Sequence, residues 1–265
     1  MKTFSKLNLS LQVFPPREDG YHPIRSVFQA ISIGDELTID VRPGTGIFKL
    51  SCSADIPIDG NILTKIFARF SNRLPFELGA TLKKNVPMGA GLGGGSANAA
   101  GFLAFLNVLG LGYSPTQLAD IGLEFGADVP FFLTGGRALV EGIGERITPI
   151  AATSDSYLLI NPNIHMDTSR VYKQFDLNKS RKESENMLKP IAFQIAPELA
   201  TIEEQLLALN LGSVHMSGSG STLFLIFKNR AEASRAKEIV VPLFPGYWIA
   251  VADEVEKGYQ MERAS

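Results

Sequence analysis

The run Pro87-Met88-Gly89-Ala90-Gly91-Leu92-Gly93-Gly94-Gly95-Ser96 carries five glycines in the seven residues from 89 to 95. So many glycines are costly for a mere turn, because each loses more backbone freedom on folding than any other residue. Their use is close approach of backbone to a ligand: successive N–H groups and the start of a following helix form a cradle for an anion, and phosphate is its natural guest. A Walker A loop is excluded, since no lysine follows the last glycine. Gly89, Gly91 and Gly94 satisfy G-x-G-x-x-G, but a dinucleotide fold places that pattern in an early βαβ unit with an acid about 20 residues on, and here none comes before Asp120. A flexible connector is the plainer alternative; it leaves the abrupt helix start at Ser96 unexplained.

Three further features carry chemistry. Lys6 stands among apolar neighbours in a predicted strand, which suits either a lysine reaching out from a strand edge or one with a buried partner. Asp128 follows Gly126-Ala127 and precedes Pro130, the place of a helix N-cap. Met216-Ser217-Gly218-Ser219-Gly220-Ser221 is a second small-residue loop, readable also as a strand-to-turn connection. His165 and His215 lack metal-ligand spacing and are expected on loops or the surface.

The first glycine run resembles the phosphate loop of the GHMP kinase superfamily. Five other segments narrow the likeness: Ser5-Lys6-Leu7-Asn8-Leu9, Asp19-Gly20-Tyr21-His22, Gly126-Ala127-Asp128-Val129-Pro130-Phe131-Phe132, Glu141-Gly142-Ile143-Gly144-Glu145 and the Met216–Ser221 loop. In that order they resemble the 4-diphosphocytidyl-2-C-methyl-D-erythritol kinase family. The resemblance implies a two-domain α+β GHMP kinase fold with the active site in the cleft between the domains. It implies ATP-dependent phosphorylation of the 2-hydroxyl of 4-diphosphocytidyl-2-C-methyl-D-erythritol in the non-mevalonate isoprenoid pathway. Lys6 and Asp128 would be catalytic, Asp128 as base. Residues 87–96 and Asn61 would bind ATP, and Asn8, Tyr21, His22 and Tyr172 the cytidine-diphosphate part of the substrate. Mg2+ would be held mainly through ATP, with Ser96 as candidate hydroxyl and no protein metal site assigned. Ser5 replaces the family's usual alanine, and His215 its usual arginine. Another GHMP alcohol kinase, a nucleotide-binding regulator and a dinucleotide-dependent oxidoreductase remain as alternatives.

These residues need elements to position them. Period-two alternation through Leu7, Leu9, Leu11 and Val13 predicts a strand, followed by strands at 24–33, 36–41 and 47–51 that read as a β meander. Helices are predicted at 61–72 and from Ser96 to Leu109, the latter buried on most sides, with a strand at 76–86 between them. Ser114-Pro115 starts another helix, with Ser114 as N-cap. The final third offers strands at 156–160, 223–227 and 247–251 and helices at 198–209 and 231–240, an α+β pattern. Domains are expected at 1–153 and 154–265, the second containing the polar stretch 176–189.

The 265 residues, 45% hydrophobic and 20% charged, supply ample core for two domains. A formal charge of −2 argues against a nucleic-acid or acidic-membrane partner, so any anion must be held locally. The single Cys52 excludes an intramolecular disulfide framework and suits a reducing compartment. Lys2, Ser5, Lys6, Asn8 and Gln12 interrupt the first thirteen residues, unlike a signal peptide, and no segment is expected to approach the ~18 apolar residues of a membrane span. A cytoplasmic enzyme acting on a small molecule, as monomer or homodimer, is the expectation.

Overall fold

The computed structural model describes residues 1–54, 58, 60–178 and 184–262. The alternating start of the chain forms β1 (Lys2–Asn8), followed by β2 (Gln12–Val13) and β3 (Ile24–Pro43). β3 is one strand of 20 residues where the sequence predicts two. Gly34 explains its continuity: a Cβ there would lie 1.8 Å from the Thr3 carbonyl oxygen, so glycine lets β1 and β3 stay paired past this point. A register shift at Phe4/Ser5 accompanies it, a bulge that changes which side chains face the helices.

β3 is the spine of the first sheet. β5 (Phe76–Lys83) pairs antiparallel with its second half, and β6 (Arg137–Gly142) with its first half, β6 running on into β7 (Arg146–Pro149). β4 (Phe48–Cys52) lies beyond β5 and parallel to it. The opening is therefore no meander, because parallel neighbours need a crossover, and α1 (Ile62–Phe70) supplies one between β4 and β5.

With α1, the helices α2 (Gly94–Leu106), α3 (Pro115–Phe125) and α4 (Val129–Thr134) cover one face around Leu63, Phe67, Phe102, Leu103, Phe131 and Phe132. Ser114 caps α3 in a complete capping box with Gln117. α2 begins at Gly94, two residues before the predicted start, and continues through a π turn to Leu111. The 18 residues Gly94–Leu111 are long and apolar enough, by length and composition, to cross a membrane, which corrects the expectation that none is. More than half of them are buried within the protein, and a helix threading a core has no wet face to carry charge.

The second sheet has the order β11-β8-β10-β9, all antiparallel, from β8 (Ser156–Asn161), β9 (His215–Met216), β10 (Leu223–Phe227) and β11 (Trp248–Asp253). Around it lie α5 (Thr168–Leu177), α6 (Lys189–Ile195), α7 (Glu198–Ala208) and α8 (Arg230–Val240). β8 is buried on both faces. Leu158 and Ile160 join Val171, Leu199 and Ala236 under the helices, whereas Tyr157 and Leu159 meet Leu7, Ile31 and Leu92 of the first sheet and glycine loop. This is why 156–160 reads as an apolar run without alternation. α5 and α6 flank the polar stretch 176–189, whose residues 179–183 lie outside the described ones. A last strand, β12 (Tyr259–Gln260), returns to pair with β1.

Candidate active site

The glycine run crosses from β5 to α2 and borders a cleft of about 460 Å³. Gly91 and Gly93 have φ of 76° and 70°, the left-handed region that favours glycine. Space demands glycine as well: a Cβ on Gly91 would lie 2.2 Å from the Ser217 carbonyl oxygen, and one on Gly93 2.8 Å from the Phe132 ring. Gly93 is the N-cap of α2, so the first turn of that helix opens on the cleft with its amides unpaired within the helix.

Neighbouring elements hold this loop in place. The Lys6 amide donates to Leu92 O (3.0 Å), Thr222 N to Ala90 O (3.2 Å), and Met166 N to Gly89 O (3.0 Å). Ser217 Oγ donates to Gly91 O (2.8 Å) and accepts from Asn8 N (3.2 Å), so the second small-residue loop closes directly onto the first.

Lys6 points from β1 into the cleft although it is only 4% exposed. Its Nζ lies 3.6 Å from Asp128 Oδ2, donates to Asn8 Oδ1, and sits 4.8 Å from the centre of the Phe28 ring. Burial pushes the Lys6 ammonium below the ordinary lysine value of 10.5, and the Asp128 carboxylate works against that shift. Asp128 occupies the N-cap position of α4, but its side chain makes no capping hydrogen bond. Its carboxylate is turned to Lys6 and remains 28% exposed, accessible to a hydroxyl proton.

The other predicted residues divide. Asn61 caps α1, accepting from Leu63 N at 3.0 Å, and lines the cleft with Leu82. Tyr172 lines the cleft together with Asp128, and burial and that carboxylate hold its hydroxyl well above the usual tyrosine range. His22 does not line the cleft; its ring packs on Tyr172 with centres 5.2 Å apart. Its nitrogens meet Phe14 O (2.8 Å) and Asp176 Oδ2 (3.2 Å). Tyr21 is 60% exposed on a turn closed by Arg17 N donating to Tyr21 O, outside the cleft lining. Asn8 is buried, with Nδ2 donating to Ser26 Oγ (3.0 Å), so its side chain serves Lys6 and Ser26.

His165 is exposed but packs over Gly89. His215, expected on a loop or surface, instead lies on β9, stacked on Phe224 and bonded to Glu185 at 2.8 Å; an aromatic strand neighbour gives the ring a place to pack. Sequence reading missed Asp35, Lys84 and Asn98, which adjoin the glycine run, and Lys84 and Asn98 line the cleft. The available signals were an aspartate at the break between two predicted strands and a lysine just ahead of the glycines. Among the described residues no group of three or more His, Cys, Asp or Glu forms a metal centre.

Comparison with known proteins bears on the fold and the family. Residues 61–136 match the GHMP kinases N terminal domain and residues 173–243 the GHMP kinases C terminal domain. The chain is 36% identical over 270 residues to the 4-diphosphocytidyl-2-C-methyl-D-erythritol kinase of Carboxydothermus hydrogenoformans, covering 91% of this chain and 92% of that one. The chain belongs to this kinase family. A crystal structure of 4-(cytidine 5'-diphospho)-2C-methyl-D-erythritol kinase superposes with a TM-score of 0.79 at 28% identity, over 96% of this chain and 98% of that chain. A homoserine kinase from Cytophaga hutchinsonii shares the fold, with a TM-score of 0.73 at 16% identity over 97% and 96% of the two chains. The GHMP kinase fold, α+β in class, is thus the fold of this chain, and the family is one that uses ATP as phosphoryl donor.

Proposed function

We propose that the chain transfers the γ-phosphoryl group of ATP to the 2-hydroxyl of 4-diphosphocytidyl-2-C-methyl-D-erythritol, giving ADP and the 2-phosphate in the non-mevalonate route to isoprenoid precursors. The observation that carries this reading is the Lys6–Asp128 pair, 3.6 Å apart in one cleft lined by the glycine run and by Tyr172. Asp128 takes the hydroxyl proton while the alcohol oxygen bonds to the γ-phosphorus and the bond to the bridging oxygen of ADP breaks. Lys6, as ammonium, neutralises charge on the transferring group. Phosphoryl transfer of this kind asks mainly for alignment and electrostatic stabilisation, which a rigid pair beside a fixed loop supplies.

Residues 87–96 hold the ATP phosphates, with Asn61 toward the adenosine end. Mg2+ fits as an ion carried by the nucleotide: the half-exposed Ser96 hydroxyl at the start of α2 and the Asp128 carboxylate both line the cleft, and the phosphates supply the remaining oxygens. Bound there, it would neutralise phosphate charge. Tyr172, backed by His22, forms one wall for the cytosine ring, and Tyr21 the outer one; Asn8 acts at the join of the two regions by holding Lys6. The enzyme works in the cytoplasm as a monomer or homodimer, in two lobes, 1–153 and 154–265, with no nucleic-acid or membrane partner.

ADP release from Mg-ATP tests the reading, comparing the cytidylylated methylerythritol with the same alcohol lacking cytidine, and with galactose, homoserine and mevalonate. Turnover confined to the cytidylylated alcohol is the expected result. Turnover of another alcohol would leave the kinase and move the substrate, and no turnover of any would sink the reading.

A further inference from the structure

One carboxylate grips both ends of the glycine run. Asp35 is 1% exposed on β3, just after Gly34. Its Oδ1 accepts from Asn85 N (2.8 Å) and Val86 N (3.0 Å), the last two residues before Pro87. Its Oδ2 accepts from Asn98 Nδ2 (2.9 Å), two residues beyond Ser96 in the first turns of α2, and from Lys84 Nζ. Asn98 is held in turn, its Oδ1 accepting from Thr3 Oγ1 at 2.6 Å. Lys84 lines the cleft beside Gly94, its Nζ 3.3 Å from where a Cβ on that glycine would stand.

We propose that Asp35 is a positioning residue for the phosphate loop. Glycine amides can cradle a phosphate only if the loop stays in one of its many accessible shapes, and glycine itself provides no restraint. A carboxylate accepting backbone hydrogen bonds at the start of the loop and a side-chain amide at its end fixes the separation of the two ends. Hydrogen bonds to an ionised acceptor are shorter and about twice as strong as neutral ones, which suits a clamp. The position of Asp35 follows from β3: the glycine before it lets β1 lie close, and the side chain passes beneath the loop into the gap between β5 and α2. Asp35 is buried and does not line the cleft, which makes it a support for the loop and not a group facing the substrates. Its effect falls on ATP, through the loop.

This inference rests on the loop being the ATP-phosphate site, and the test separates the two. Calorimetric titration of the whole protein with Mg-AMPPNP gives nucleotide affinity without the alcohol; steady-state kinetics then give both KM values and kcat. In Asp35→Asn, which keeps the size but replaces an acceptor oxygen by a donor, nucleotide Kd and KM for ATP should rise ~10-fold or more, as expected when hydrogen bonds to a charged acceptor are lost. The KM for the alcohol should stay unchanged and kcat within ~3-fold of wild type, since only nucleotide binding is affected. Asn98→Ala, which releases only the far end, should move the same constants in the same direction. A lower thermal midpoint with nucleotide affinity unchanged in either variant would overturn the proposal, as would an equal loss in both KM values. If Asp35→Asn does not fold, Asn98→Ala decides alone. A wild-type protein that binds no Mg-AMPPNP would instead remove the ATP reading itself.

Discussion

At the residue scale, the proposed chemistry rests on Lys6 and Asp128. Asp128 stands at a helix start without capping it, so its carboxylate is available to the alcohol and to Lys6. Asp128→Asn should lower kcat ~100-fold or more with ATP affinity nearly unchanged, the pattern of a group needed in the transition state; single-turnover kinetics with a nucleotide titration check it. In the proposed mechanism Lys6 acts as the ammonium, and burial lowers its pKa. The alkaline limb of the kcat profile should therefore fall before the ordinary lysine value of 10.5, because the ammonium is lost as pH rises through the depressed value. Removing the opposing Asp128 charge should move that limb lower still in the residual activity of Asp128→Asn, and an unmoved limb would separate the two groups. Ser5, where the family commonly has alanine, is buried with a hydroxyl that meets no partner among the described residues. Since an unsatisfied buried hydroxyl costs ~1–3 kcal/mol, Ser5→Ala should raise the thermal midpoint or leave it level, with kcat retained.

At the scale of elements, the site depends on two loops that close on one another. Gly91 and Ser217 meet backbone to backbone, and a methyl group cannot fit between them. Gly91→Ala combines that clash with a left-handed φ, so it should weaken ATP binding by ~10-fold or more while the far-ultraviolet circular dichroism stays that of wild type. Much of the element layout was legible. The run 223–227, the helix after Ser114 and the amphipathic 61–72 all carry strong local signals, and each forms as predicted. The parallel place of β4 was not legible, since no local pattern distinguishes a strand that neighbours β3 from one that lies beyond β5. α5 and α6 were also missed: their short apolar faces bury against the second sheet, and such faces are weak in a polar context.

For the whole molecule, the two sheets meet along a seam in which Tyr157 and Leu159 of β8 pack on Leu7, Ile31 and Leu92. Glu254 ties the chain crossing there, accepting from Thr153 N (3.1 Å), Ser154 N (3.0 Å) and Tyr157 Oη (3.0 Å). Burial pushes its carboxyl up, but the hydrogen bonds from Thr153, Ser154 and Tyr157 outweigh this and hold it below the usual 4.5. A depressed carboxylate contributes stability above its unfolded pKa, lost as pH falls through its folded one. Wild type should accordingly lose stability on acidification below about 4.5, and Glu254→Gln should flatten that part of the curve, as chemical denaturation across pH would show. By itself the sequence determined where the glycine run lies and much of the strand and helix order around it, because these rest on backbone entropy and periodicity. It offered Lys6 and Asp128 as a pair only through the resemblance to the kinase family. Only the tertiary structure decided that Lys6 meets Asp128, that Asn8 serves the lysine, that Tyr21 stays outside the cleft lining, and that Asp35 holds the loop at both ends. Those facts depend on contacts between residues far apart in the chain, set by how the two sheets and their helices bury one another, and no local pattern records them.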